Sequence, residues 1–286
     1  MLRNALVTHG ATQQEMISAL QWYIDHGVSD CVLDDPINRF DIVPEVPKPA
    51  MMSEISASAP QQLQESTQTF LGKSDAYDEA VKLAKAANSL EDLSNAIAEF
   101  DGIAIKKTAS NMVFADGNPN AEIMIIGEAP AADEDRQGVP FSGASGNLLD
   151  KILACIDLSR KSEDPKKSVY ISNILNWRPP GNRSPSSAEI EVSLPFIERH
   201  IQLIEPKIIV LCGGVAAKSL LASSDSISRL RKKWHDYKPQ TQALGGSNIS
   251  IPAIATYHPS YLLSTPVQKK LVWEDMLNLQ KQYLSL

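Results

Sequence analysis

EIMIIG, residues 122–127, is a short apolar run closed by glycine that leads straight into the polar loop GEAPAADED at 127–135. Three later runs repeat the pattern: SVYISNIL (168–175), KIIVLCGG (207–214) and ISIPAIATY (249–257). Each is rich in Ile or Val and ends in a turn, and helical stretches fall near 144–157, 187–204, 214–222 and 267–284. Strands alternating with helices predict an α/β three-layer sandwich, a central four-stranded, mostly parallel sheet flanked by helices. In open sheets of this kind ligands bind beyond the carboxyl ends of the strands, where the loops converge. The informative residues lie there: GEAPAADED after the first run, Asn173 and WRPPGNR (177–183) after the second, Gly213-Gly214 after the third, and HPSYLL (258–263) after the fourth.

Before these runs the grammar changes. TQQEMISALQWYIDHG (12–27) puts Met16, Ile17, Leu20, Tyr23 and Ile24 at helical spacing, so residues 1–42 read as a short helical segment. Residues 43–73 are dense in Pro, Ser and Gln and cannot bury enough apolar surface to offset ordering entropy, which predicts a disordered linker. A helical stretch over 74–99, divisible at Asn88-Ser89, is expected to pack on the domain that follows, residues 100–286.

The net charge of −7 argues at first sight against a nucleic-acid partner, because phosphates attract Lys and Arg. Charge acts locally, however. Much of the acidity precedes residue 102, whereas Arg178, Arg183 and RLRKKW (229–234) could form a basic rim on the later domain. Cys31, Cys155 and Cys212 show no CxxC spacing, so neither a disulfide framework nor a metal cage is indicated. MLRNALVTHGATQQE lacks an apolar signal core, and no stretch approaches the roughly 18 apolar residues of a membrane span. A cytoplasmic protein without membrane contact is expected.

Five blocks, IIGEAPAADEDRQGVPFSGASGNLL, VYISNILNWRPPGNR, ERHIQLIEPKIIVLCGGVAAKSLL, RLRKKW and ATYHPSYLL, resemble in that order the family 4 uracil-DNA glycosylases, over about residues 100 to 286. The resemblance implies a monomeric base-excision-repair enzyme that hydrolyses the N-glycosidic bond of uracil in DNA and leaves an abasic site. His258 matches the donor to uracil O2, where charge accumulates as the base departs. The carboxamide of Asn173 offers a donor and an acceptor to O4 and N3–H of uracil; cytosine presents the opposite pattern and is rejected. Phe141 matches the aromatic on which the extruded base stacks. Glu128 matches the residue that positions the attacking water, Ala129 belongs to the loop whose amides hold the ring, and Glu134 occupies the position that crowds C5 against thymine's methyl. Asp133 and Asp135 read as solvated loop acids. Tyr261, Leu262 and Leu263 could plug the duplex where the base has left, with Arg178, Arg183, Arg229, Arg231, Lys232 and Lys233 on phosphates.

The chain also departs from the family. Many members hold a four-iron cluster on four cysteines, and the matching positions here are Phe100, Ile103, Trp177 and Ser193. Thiolates are what such a cluster requires, so no cofactor is expected, with the apolar residues filling the space. GEAPG has become GEAPA at Ala131, which matters if that position needs a positive φ. Ser264 replaces an arginine after HPSYLL, and Lys232 the glycine of RGxW. Two other readings stay open at this point: a catalytically weakened module of the same fold that binds uracil or single-stranded DNA, and a different hydrolase on a doubly wound sheet. SGASGN (142–147) fails the G-x-S-x-G elbow at its last position, which disfavours the second.

Overall fold

A computed structural model describes residues 73–246 and 249–285. The segments 1–42 and 43–73, save Lys73, lie outside the described residues. Among those described, no helix is long and apolar enough to cross a membrane.

The four apolar runs form parallel strands β2 (Ile123–Gly127), β3 (Tyr170–Asn173), β4 (Ile208–Cys212) and β6 (Ile251–Thr256). The sheet has six strands rather than four, in the order β1-β3-β2-β4-β6-β5. The additional strands, β1 (Ala115–Gly117) and β5 (Trp234–Tyr237), are antiparallel edges. Neither carries an apolar run: β1 is ADG, and β5 is WHDY emerging from the basic cluster.

Alternate residues of the central strands feed opposite layers, as the period of two requires. Met124 and Ile126 of β2 and Ile209 and Leu211 of β4 face one core; Ile123 and Ile125, Ile208 and Val210 face the other. The first core is covered by α1 (Lys73–Ala86), α2 (Leu90–Glu99), α5 (Ser187–Ile204) and α6 (Gly214–Leu220). The second is covered by α4 (Gly143–Ala154), α8 (Pro259–Ser264) and α9 (Lys269–Tyr283). The short helices α3 (Ala132–Gln137) and α7 (Ile227–Leu230) sit in the loops at the carboxyl end of the sheet. Ala76, Ala80 and Ala84 recur every four residues and are buried, so α1 lays a small-residue face on α5. Ser89 caps α2 by accepting the Asp92 N–H, and Leu93 and Ile97 point inward.

The chain leaves β2 for β3 on one side and then for β4 on the other, which makes the carboxyl end of β2 the switch point of the sheet. There Gly127 is in register with Asn173, and on the neighbouring pair Cys212 is in register with Thr256.

Candidate active site

A cavity of about 690 Å³ opens at these strand ends, with Glu128, Ala129, Gly213, Tyr257, His258 and Tyr261 in its wall. His258 lies two residues beyond β6 and caps α8, with Pro259 as the first helical residue. Its Nδ1 accepts the Ser260 N–H at 3.2 Å and lies 2.8 Å from Ser260 Oγ. A backbone N–H can only donate, so Nδ1 is the bare nitrogen and the proton of the neutral ring is on Nε2. Burial pushes the His258 pKa down to about 4, so the ring is neutral at neutral pH. Among the described residues its remaining donor, Nε2–H, meets no acceptor.

The His258 ring stacks on Phe141 with centroids 5.1 Å apart and planes 27° from parallel. Phe141 and Asn173 in turn meet over Gly127. A Cβ on that glycine would fall 2.3 Å from Asn173 Oδ1 and 2.8 Å from the Phe141 ring, so only glycine lets the three groups assemble. Imidazole, phenyl and carboxamide thus come together from three distant stretches, His258 in the cavity wall and Phe141 and Asn173 outside that wall. Phe141 and Asn173 are almost completely buried, and Asn173 Nδ2 has no hydrogen-bond partner among the described residues. Leaving a buried donor unpaired costs about 1–3 kcal/mol, so this amide is held for something other than the fold.

Glu128 is half-buried, and burial raises its carboxyl pKa. Glu134 is buried, and its oxygens accept the N–H groups of Ala131, at 2.6 Å, and Phe141. It is committed to the backbone of its own loop, a role the sequence reading did not contain. Ala129 is half-buried in the cavity wall. Ala131 has φ −93°, an ordinary value, so alanine in place of glycine carries no backbone strain there. Asp133 is partly exposed and paired with Arg136, whereas Asp135 is not the solvated acid expected. It is buried and accepts the N–H groups of Ser110 and Asn111 at 2.8 and 3.1 Å.

The proposed DNA-facing residues divide. Tyr261 and Leu263 are exposed on α8, but Leu262 is fully buried in the core and cannot enter a duplex. Arg183 borders the cavity, half-exposed, and forms two hydrogen bonds with Glu189, whose pKa it holds down at about 2. Arg178 is partly exposed, with Nε on Asn182 Oδ1 at 2.7 Å. Arg229, Lys232 and Lys233 are exposed. Arg231 overturns its expectation: it is buried, donates to Asp275 at 2.8 and 3.1 Å and lies 5.6 Å from the Tyr257 ring centroid. One turn of helix points Leu230 and Arg231 inward together, so this arginine is a core ion pair and not a phosphate contact.

Two further positions beside these groups escaped the sequence reading. Gly127 closes an apolar run and reads as ordinary punctuation. Arg160, in DLSRKSED, stands outside every motif noted above; its side chain is 8% exposed and donates to the Phe141 carbonyl.

At the four positions where cluster cysteines would stand, no thiolate is available. Phe100, Ile103 and Ser193 are buried and Trp177 is partly so. Phe100 meets Phe196 edge-on at 5.2 Å, and the Lys106 ammonium sits 6.0 Å over the Trp177 ring. Apolar rings and an ammonium cannot ligate iron, so these residues do not fit the cluster. Among the described residues no group of three or more His, Cys, Asp or Glu could hold a metal ion.

The family model for the uracil DNA glycosylase superfamily matches residues 114–277. A type-4 uracil-DNA glycosylase of Archaeoglobus fulgidus is 37% identical over 182 residues, covering 62% of this chain and 85% of that protein. One from Sulfurisphaera tokodaii is 32% identical, covering 68% and 84% respectively, and one from Thermotoga maritima is 31% identical, covering 65% and 91%.

Proposed function

The chain belongs to the uracil DNA glycosylase superfamily, and from that premise we propose that it hydrolyses the N-glycosidic bond of uracil in DNA, leaving an abasic site for base excision repair. The observation that carries the reading is the neutral His258 with its free Nε2–H, stacked on Phe141, beside a buried Asn173 amide that lacks a partner. In this reading the extruded base stacks on Phe141, Asn173 faces its O4 and N3–H, and His258 donates to O2. As the C1′–N1 bond breaks, its electron pair leaves with the uracil ring and the new charge on O2 meets a donor already aimed at it. Glu128 holds the water whose oxygen joins C1′ and whose proton the carboxylate takes up. Tyr261 and Leu263 fill the space left in the strand, and Arg178, Arg183 and Lys232 meet phosphates.

The same proposal includes a chain that works without an iron–sulfur cluster, supported by the side chains at the four cysteine positions. It also includes a cytoplasmic monomer; the free thiols Cys155 and Cys212 are consistent with a reducing compartment.

The test is release of uracil from a labelled oligonucleotide, read as strand cleavage after alkali, across U·G, U·A, single-stranded U and T·G substrates. Binding without abasic product would leave the non-cleaving module standing instead. Asn173→Asp should relax discrimination between uracil and cytosine, because a carboxylate only accepts and suits cytosine's amino group. Unchanged selectivity in competition assays would make Asn173 structural. The depressed His258 pKa gives a further expectation. The ring is neutral at every pH well above about 4, so an NMR titration from about pH 5.5 to 8 should show no His258 transition and its protonation should not modulate excision. A midpoint near the ordinary 6.5 would overturn the depressed pKa.

A further inference from the structure

Phe141 has φ +49°, in the left-handed region that a bulky side chain rarely adopts and that persists only where its surroundings enforce it. Those surroundings grip both of its peptide groups. Glu134, from α3, accepts the Phe141 N–H. Arg160, from the turn after α4, donates through Nη1 to Pro140 O at 3.0 Å and through Nη2 to Phe141 O at 3.2 Å. The other side of the guanidinium is pinned by Asp150, with Nε to Oδ1 at 2.7 Å, and by Asp116, with Nη1 to Oδ2 at 3.0 Å. A planar fork of five N–H donors can hold two carbonyls and two carboxylates at once; an ammonium cannot. Gly146 completes the seat, since a Cβ there would fall 1.5 Å from Phe141 O.

We propose that Arg160 and Glu134 are positioning residues that lock the Phe141 backbone in its left-handed conformation and thereby present the ring to the base; this rests on the uracil-excision reading. Neither residue needs to touch the base. Glu134 lines the cavity and Arg160 does not; Arg160 acts through the loop carbonyls it holds. Once released, Phe141 relaxes toward negative φ and its ring leaves the stack with His258.

Arg160→Met keeps the aliphatic stem and frees Asp116 and Asp150, both already partly exposed to water. Loss of base stacking worth about 1–3 kcal/mol corresponds to a fall in kcat/KM on single-stranded uracil DNA of about 5- to 150-fold, with affinity for abasic-site DNA unchanged. In a Phe141→Ala background the same substitution should cost no more than about a further twofold, because the two act through one ring. Independent, multiplying losses would overturn the proposal. A second arm needs no activity: hydrogen–deuterium exchange of the peptide over residues 138–146 should be slow in the wild type and faster in Arg160→Met. Equal exchange in the two overturns the proposal whatever the kinetics. If the wild-type protein releases no uracil, the excision reading fails while the exchange arm still decides the grip. Should Arg160→Met not fold, Glu134→Gln keeps the shape with one accepting oxygen fewer and serves in both arms.

Discussion

His258→Ala is expected to slow single-turnover release of uracil by at least about two orders of magnitude, the usual consequence of deleting one preorganised donor at a developing oxyanion. Binding of uracil-containing DNA should change little, because the lost hydrogen bond strengthens only as charge moves onto the base. The effect is separable from folding. Among the described residues the imidazole hydrogen-bonds with Ser260, which is exposed and can turn to water, and stacks on Phe141, whose place Glu134 and Arg160 fix independently. Quenched-flow excision compared with equilibrium binding to a non-hydrolysable substrate gives both quantities, and an unaltered excision rate would refute the role of His258.

Arg231→Met is expected to act on stability instead. Asp275 is 1% exposed and its carboxylate is held by Arg231 and, at 2.8 Å, by the Thr256 hydroxyl. Removing one partner of a buried pair costs about 3–5 kcal/mol, or a fall in melting temperature on the order of 10 °C in a domain this size. The deficit should depend on pH. Burial already pushes the Asp275 pKa up to about 6 against the pull of Arg231, and without the guanidinium it rises further. The folded variant then takes up a proton that the unfolded chain, titrating near 3.8, does not hold. Stability is therefore recovered at low pH and lost as pH rises through the folded value, so calorimetry should find a larger deficit at about pH 8 than at about pH 5. The salt dependence of DNA binding should stay as it is, whereas loss of a phosphate contact would reduce its logarithmic slope by about 0.7–0.9. A reduced slope with an unchanged melting temperature would return Arg231 to the DNA face.

The contrast between these residues shows what the sequence could reveal. The central strands were legible because they are buried on both faces and so read as continuous Ile and Val runs, and His258 and Asn173 because strand ends are where such sheets gather their ligand groups. β1 and β5 were not, since edge strands exposed on one side carry too few apolar residues to stand out. Arg231 misled for a related reason: a run of basic residues gives the charge but not which side of a single helical turn each one takes. Leu262, between exposed Tyr261 and Leu263, was ambiguous in the same way. Glu134 and Arg160 were opaque because their partners are backbone groups 7 and 19 residues away, and backbone groups leave no mark in a sequence.

The solitary amide proton pair on Asn173 has one more consequence. It asks for a carbonyl, and an incoming pyrimidine that supplies one relieves the free protein of a standing penalty. Thymine carries the same carbonyl as uracil, so this atom selects against an amino group and is blind to a methyl. Discrimination against thymine would then have to come from contour and rigidity around the ring edge, not from hydrogen bonding.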